Sequence, residues 1–487
     1  MSFSILHISD LHRDMNDEMA NEWLIASLAR DFDNFSKQDV PILKPSLCVV
    51  SGDLIYGVSP SCENSEFEIR RQYQQAKDFL IRLAEKFFDG DRNKIIIVPG
   101  NHDVSFPVML ESVEMMDLRK DKAERQGLVA RFFKKNSSLR WSWSDLRFYE
   151  IVDKEKYLNR FIYFSEMYND FYQGIRSYSL LPEEQFHIFD FPDISFCILA
   201  LNSCFDNDPF NRGGSFSPIA FTRACQLLAD PKRYGWLVAS TWHHNLAGTP
   251  TTHDHLDAEF LQLLIDAGVS IAFHGHQHLP ECFDERFRFG LSLRKMTIIS
   301  AGTLCADAHH LQPGVPRSYN VVELDASVYK GKVHQRKMVN ITLQNLPIWG
   351  PGQFPETNLS YVDFELCRPL NTRSQNLDLQ ISLEEVENLL GQCKWSEVVD
   401  FIMRFNLGDS ARPFLVKALD ELDDAEKIIK LLWPPASNQE IVIIGNALIS
   451  KGSIVECKEF LELDVVKLNE DASVREVKIR IETRKLK

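Results

Sequence analysis

From residue 1 to about 343, short β-branched and aliphatic runs alternate with stretches of helical period. "FSILHIS", "SLCVVS", "KIIIVP", "ISFCILAL", "WLVASTW", "VSIAFH", "MTIISA" and "YNVVEL" each read as a strand, by length and β-branching more than by periodicity. Their near-continuous apolar character predicts strands covered on both faces, as in a layered α/β domain. Residues 104–180 interrupt this pattern with "ARFFKKNSSLRWSWSDLRFYE" and "NRFIYFSEMYNDFYQGIRSY", an aromatic-rich and partly helical insertion. Two roles are open for it: a subdomain with its own small core, or a wall beside a functional pocket that stacks bases or gates access.

Past residue 343 the pattern changes. Residues 344–380 ("QNLPIWGPGQFPETNLS") have the Pro, Gly and Asn content of a linker or surface-hugging arm, and after them the strands cease. Residues 381–487 read as an all-helical domain. "SLEEVENLL" opens with Ser382 and Glu385 at capping-box spacing, and "SNQEIVIIGNALI" repeats that arrangement with Ser437 and Glu440. "LLGQCKWSEVVDFI" and "LISKGSIVECKEFL" share an order of helix, short loop and helix, which predicts stacked helical hairpins. This region holds no catalytic constellation, so its expected role is an adaptor that binds a protein partner.

The chain's 487 residues are long for one core, consistent with two domains. Its 54 basic and 69 acidic residues give a net charge of −15. That excludes a broad basic surface for nucleic-acid backbone, unless a groove is locally basic or bound cations invert the field. The ten cysteines are scattered without a CxxC pair, as expected of reduced thiols in a cytoplasmic protein. The opening "MSFSILHISDLHRD" lacks the pattern of a signal peptide, and no run approaches the ~18 apolar residues of a spanning helix, so no membrane association is expected.

Chemistry is concentrated where the predicted strands end. One ends in "SDLH" (Asp10, His12) and the next in "SGDL" (Asp53). A third ends in "PGNHD" (Asn101, His102, Asp103), and two later ones end in "TWHHN" (His243, His244) and "HGHQH" (His274, His276, His278). Each signal is poor alone, since a DxH pair or a GD occurs by chance. Open α/β sheets gather their sites at the carboxyl ends of strands, so five such motifs in that position converge on one pocket.

In this order the motifs resemble those of the calcineurin-like metallophosphoesterases: DxH, then GD, then GNH with an acidic residue, then a strand-end His, then GHxH. The resemblance spans roughly residues 1–343. It implies an α/β fold, a four-layer α-β-β-α sandwich, here with an aromatic insertion and a C-terminal helical domain. It also implies a site for two divalent metal ions, manganese first, then iron, zinc or magnesium. One ion would be held by Asp10, His12, Asp53 and His278. The other would be held by Asp53, Asn101, His243 and His276, with Asp53 shared to lower the repulsion between the cations. A hydroxide bridging the ions would attack phosphorus. His102 would act as general acid, with Asp103 fixing its tautomer and orientation.

The reaction expected from this resemblance is hydrolysis of a phosphodiester, in a nucleotide, a cyclic nucleotide or, as a nuclease, a nucleic acid. The alternatives are a phosphomonoesterase acting on protein or metabolite and, in another class, a regulated effector whose helical tail binds a partner. His243 is preferred to His244 as ligand because the family's ligand comes directly off the strand. His7 and His274 read as hydrogen-bonded structural histidines. His253 and His255 fall in a loop that reads first as solvated and otherwise as a lid touching substrate; Arg13 and Arg212 read first as surface arginines and otherwise as groups that grip a phosphate or base.

Overall fold

A computed structural model describes residues 2–484 except 15–18, 60, 117–121, 135–136, 247–253, 257–258, 287–294, 307–310, 312–313, 341–345, 355–356, 368–384, 387, 406–410 and 470. Ser382 and His253 therefore lie outside the described residues. The chain divides into two compact units. The first is Met1–Asp257, Ala267–Arg286 and Arg294–Leu370; the second is Ala258–Asp266, Phe287–Leu293 and Asn371–Lys487.

Two sheets form the first unit's centre. The first sheet begins with β1 (Ser2–Ile8), β2 (Leu47–Val50) and β3 (Ile95–Ile97), which run parallel. A small separate sheet follows in the chain, with β4 (Val113–Met115), β5 (Leu139–Ser142) and β6 (Arg147–Ile151) in the order β4-β6-β5. The second large sheet uses β7 (Phe186–Phe191), β8 (Phe196–Leu201), β9 (Leu237–Thr241), β10 (Val269–His274), β11 (Glu281–Arg286) and β12 (Lys295–Ser300). Its order is β11-β12-β10-β9-β8-β7, with antiparallel β7 and β11 at the edges. The first sheet is completed by antiparallel β13 (Ser318–Asp325), β14 (Lys330–Met338), β15 (Trp349–Pro351) and β16 (Tyr361–Glu365).

The two large sheets pack face to face through apolar rings: Phe3 of β1 lies 4.9 Å from Phe196 of β8, and His7 lies 5.1 Å from Phe273 of β10. Helices Asn21–Asp33, Ser65–Phe87 and Pro218–Leu228 supply the flanking layers with buried apolar stripes. All eight strands expected from apolar runs are present. The segment expected to be a linker, 344–380, contributes β15 and β16, both paired with β14. Each places one ring in the core, Trp349 and Phe364, but neither has an apolar run long enough to mark it as a strand.

The aromatic insertion divides its rings. Trp141, Phe132 and Phe148 pack on one another beside the small sheet. Phe161, Phe164, Tyr168, Phe171 and Tyr172 of the following helical stretch are buried in the main core instead.

In the second unit, helices Trp395–Phe405, Arg412–Leu422, Ala425–Leu432, Asn438–Lys451, Ile454–Glu462 and Ala472–Arg484 enclose a core that includes Leu419, Leu432, Ile444, Leu448 and Phe460. Ser437 caps its helix by accepting from the Glu440 amide (3.2 Å), and Glu440 reaches back to the Ala436 amide (2.7 Å). Among the described residues, no helix is long and apolar enough to cross a membrane.

Candidate metal centre

The carboxyl ends of β1, β2 and β3 from one sheet meet those of β9 and β10 from the other. Backbone lacing draws the first two motifs together: the Asp10 amide donates to Gly52 O (3.1 Å) and the His12 amide to Asp53 O (3.0 Å). Close approach then demands glycine. A Cβ on Gly100 would lie 2.1 Å from Asp53 Oδ1; one on Gly52, whose φ is +98°, would lie 2.5 Å from His243 Nδ1. The backbone is bent hard here. Asp10, His12, Asp53, His276 and His278 all have left-handed φ, between 43° and 76°. Such conformations cost about 1–3 kcal/mol each and persist only where the surroundings over-determine them.

Two groups of donor atoms gather the expected ligands, and a third set, His12, Asp53 and His102, lies comparably close together. In the first, His12 Nε2 and His278 Nε2 face each other at 3.1 Å, and Asp10 Oδ1 lies 3.6 and 3.3 Å from them. In the second, Asn101 Oδ1 lies 3.0 Å from His243 Nε2 and 2.9 Å from His276 Nδ1, and the two imidazole nitrogens are 3.3 Å apart. Asp53 stands at the junction. Its Oδ1 accepts from the His102 amide (2.9 Å), which leaves Oδ2 facing both groups, 3.6 Å from His12 Nε2 and 3.2 Å from His243 Nε2. The seven side chains expected to bind metal are thus brought together and divided four and four, with Asp53 in both.

The donor set fits cations. Ligands about 2.0–2.2 Å from one ion stand about 3.0–3.5 Å apart at octahedral or tetrahedral angles, which is the spacing within each group. Asp10 Oδ1 is buried without a hydrogen bond, and imidazole nitrogens facing each other at 3.1 and 3.3 Å leave lone pairs aimed at shared points. Charge is compressed as well. Burial alone would raise the Asp53 carboxyl, but His243 and His102 hold it well below the usual carboxylate range. Asp10 is likewise held low, against burial, by His278 and His12. Burial lowers His243, yet Asp53 outweighs it and pushes that imidazole up to about 9.

His102 sits half-buried beside the cup, its ring 4.6 Å from that of His12. The orienting role expected of Asp103 is not what the geometry gives. Asp103 Oδ2 accepts from the Gly100 (2.8 Å) and Leu54 (3.2 Å) amides, and its Oδ1 accepts from Tyr73 OH (3.1 Å). The short 3-10 turn Asn101–Asp103 points adjacent side chains in different directions, so Asp103 pins the two ligand loops to each other. His102 Nδ1 instead donates to Tyr56 O at 2.7 Å. Burial, then the charge of Asp53, pushes the Asp103 carboxyl up to about 7.

The remaining candidates separate clearly. Arg13 is buried, its guanidinium donating to Met19 O and Asn21 Oδ1 under the Phe79 ring, and it has no route to a phosphate. Arg212 is exposed. His244 is fully buried behind the cup, with Nδ1 2.9 Å from Ser203 Oγ; that hydroxyl also accepts from the His243 and His244 amides. His274 stacks on Trp242, and His7 Nε2 lies 3.0 Å from Ser51 Oγ. His255, in the described part of its loop, accepts through its carbonyl from the Gly214 amide. Sequence reasoning missed Tyr56, Ser203 and Asp254; the Asp254 carboxylate lies 3.9 Å from His276 Nε2. A position near a ligand motif marked Tyr56, Asp254 lies between His253 and His255 in the loop already singled out, and nothing local marked Ser203.

A model of the calcineurin-like phosphoesterase family matches residues 3–280, more than half the chain, and the chain belongs to that family. It is therefore a phosphoesterase, a hydrolase with a metal-binding site. Among solved structures, the chain is similar to a dimetal phosphatase from Danio rerio, with 13% identity over 69% of this chain and 96% of that one and a TM-score of 0.36. A second similar structure is the calcineurin-like phosphoesterase YfkN from Bacillus subtilis, with 10% identity over 78% of this chain and 96% of that one and a TM-score of 0.27. No curated protein matches the sequence.

Proposed function

We propose that the chain hydrolyses phosphodiesters with two divalent ions, manganese foremost, held on either side of Asp53. Asp10, His12 and His278 would complete one ion's ligands, and Asn101, His243 and His276 the other's. The observation that carries this reading is the position of Asp53 Oδ2, within 3.6 Å of both imidazole groups. When bound, the ions supply positive charge for the phosphoryl oxygens and make water acidic enough to attack at neutral pH.

The chain's own residues do the rest. His102 donates Nδ1–H to Tyr56 O, so Nε2 is the nitrogen left to exchange a proton. As the imidazolium it would give its Nε2 proton to the departing oxygen as the P–O bond breaks and be left as the Nδ1–H tautomer, while the attacking water's oxygen remains on phosphorus. A singly charged diester needs less cationic surface than a doubly charged monoester, and Arg13, one residue past a ligand motif, turns its guanidinium away to Met19 O, which supports the diester. The test is the manganese-loaded protein on bis-p-nitrophenyl phosphate and on p-nitrophenyl phosphate. Preference for the diester is expected; preference for the monoester overturns this reading in favour of a phosphatase of protein or metabolite.

The helical unit is proposed as an adaptor for a protein partner. Ile454, Val455 and Leu468 expose apolar side chains there, at 59%, 67% and 76%. A chain ending near residue 375 should keep turnover of small esters and lose its partner; failure of that chain to fold would make the helices part of one structure with the enzyme.

A further inference from the structure

His102 takes its orientation from a backbone carbonyl, and a carbonyl is only as fixed as its peptide plane. The carbonyl of Tyr56 and the amide of Gly57 are opposite ends of one planar unit, so holding the amide holds the carbonyl. Gln72, on helix Ser65–Phe87 and 1% exposed, holds it from the side away from the cup. Its Oε1 accepts from the Gly57 amide at 2.9 Å, and its Nε2 donates to Gly57 O at 3.1 Å. Gly57 has φ +82°, in the region that favours glycine, where this peptide has little intrinsic preference to stay put. On the preceding side the chain is anchored by the Tyr56 amide, which donates to Arg13 O (3.0 Å). The plane between these anchors is set by Gln72.

We infer that Gln72 is a positioning residue that acts through the Tyr56–Gly57 peptide on the His102 imidazole. The bond to Tyr56 O holds Nδ1–H, so the imidazolium gives up its Nε2 proton to the departing oxygen and is left as the Nδ1–H tautomer. Without Gln72 the peptide loses that restraint, and His102 samples the other tautomer and other ring orientations. The neighbouring Tyr73 acts on a different target, the Asp103 carboxylate, so one helical turn braces both loops that flank His102. This inference rests on the reading of His102 as general acid.

The test compares Gln72→Met, which keeps the volume and removes both hydrogen bonds, with His102→Ala and the double variant. Each is loaded with manganese and assayed on aryl phosphates whose leaving groups range from p-nitrophenol to phenol, as diesters or as monoesters according to what the wild type turns over. A good leaving group needs no proton, so Gln72→Met should slow the phenyl ester by about tenfold and the p-nitrophenyl ester far less. It should cost nothing further once His102 is alanine. Equal losses on every ester, or an added loss in the His102→Ala background, would show a merely structural role and overturn the inference. If His102→Ala itself shows no dependence on leaving group, the general-acid reading has failed instead.

A readout independent of turnover is the imidazole nitrogen spectrum of 15N-histidine protein loaded with zinc, in which the His102 signals are those lost in His102→Ala. The wild type should show the Nδ1–H form and Gln72→Met a mixture; identical spectra overturn the inference. Should Gln72→Met not fold, Gln72→Glu keeps the acceptor for the Gly57 amide. It should then retain the Nδ1–H form, and loss of that form would count against the inference.

Discussion

In the C-terminal helices, left-handed backbone falls where elements stop. Asp423 ends Arg412–Leu422 and Gly452 ends Asn438–Lys451, each at a helix C-cap where that conformation satisfies the last carbonyls. In the metal cup it falls on Asp10, His12, Asp53, His276 and His278, the very residues whose side chains converge. The helical unit buries leucine and isoleucine and closes its ends with hydroxyl caps, so local preference and tertiary packing agree. The cup sets carboxylates and imidazoles within 4 Å of one another on strained backbone, and only cations reconcile them. One region is organised for stability and the other against it, for chemistry.

This contrast is broken most severely at Asp53. Asp53→Asn should remove both ions and abolish turnover, as read by metal analysis and by hydrolysis of an activated ester; retention of either ion at full occupancy would deny it a shared role. Next in size is His102→Ala, expected to slow turnover by ~10²–10⁴ with metal content unchanged. Normal turnover would move the proton donor elsewhere. In the helical unit, Leu448→Ala removes a fully buried side chain and should cost about 2–5 kcal/mol of that unit's stability in a urea titration. Turnover of small esters should stay as in the wild type. Smallest is Ser437→Ala, which deletes the cap on the Glu440 amide and should cost about 1 kcal/mol, again without effect on turnover. A change in turnover from either helical variant would erase the separation between the two regions.

The ligands were legible because each follows an apolar run, and a strand buried on both faces announces its own end. Partners that act through backbone were not. The acceptor for His102 is the carbonyl of Tyr56, which has no side-chain signature, and Asp103 looked like the partner because it is adjacent in sequence. Arg13, read as a surface arginine or as a phosphate grip, is neither: one residue past a ligand, it is carried beneath Phe79 after the left-handed turn at His12. Strands buried on both faces were found, whereas β7 and β11, antiparallel at sheet edges, and the short β15 and β16 were not. The polar β14 escaped too, since its Arg336 is buried against Asp31, an ion pair that only the folded chain brings together (Nε to Oδ2, 2.9 Å).

The central claim is that one carboxylate oxygen joins two cation sites. Anomalous diffraction from crystals grown with manganese tests it most directly: two peaks are predicted, one among Asp10, His12 and His278 and the other among Asn101, His243 and His276, both within bonding reach of Asp53. A single peak, or two that do not share Asp53, would contradict it.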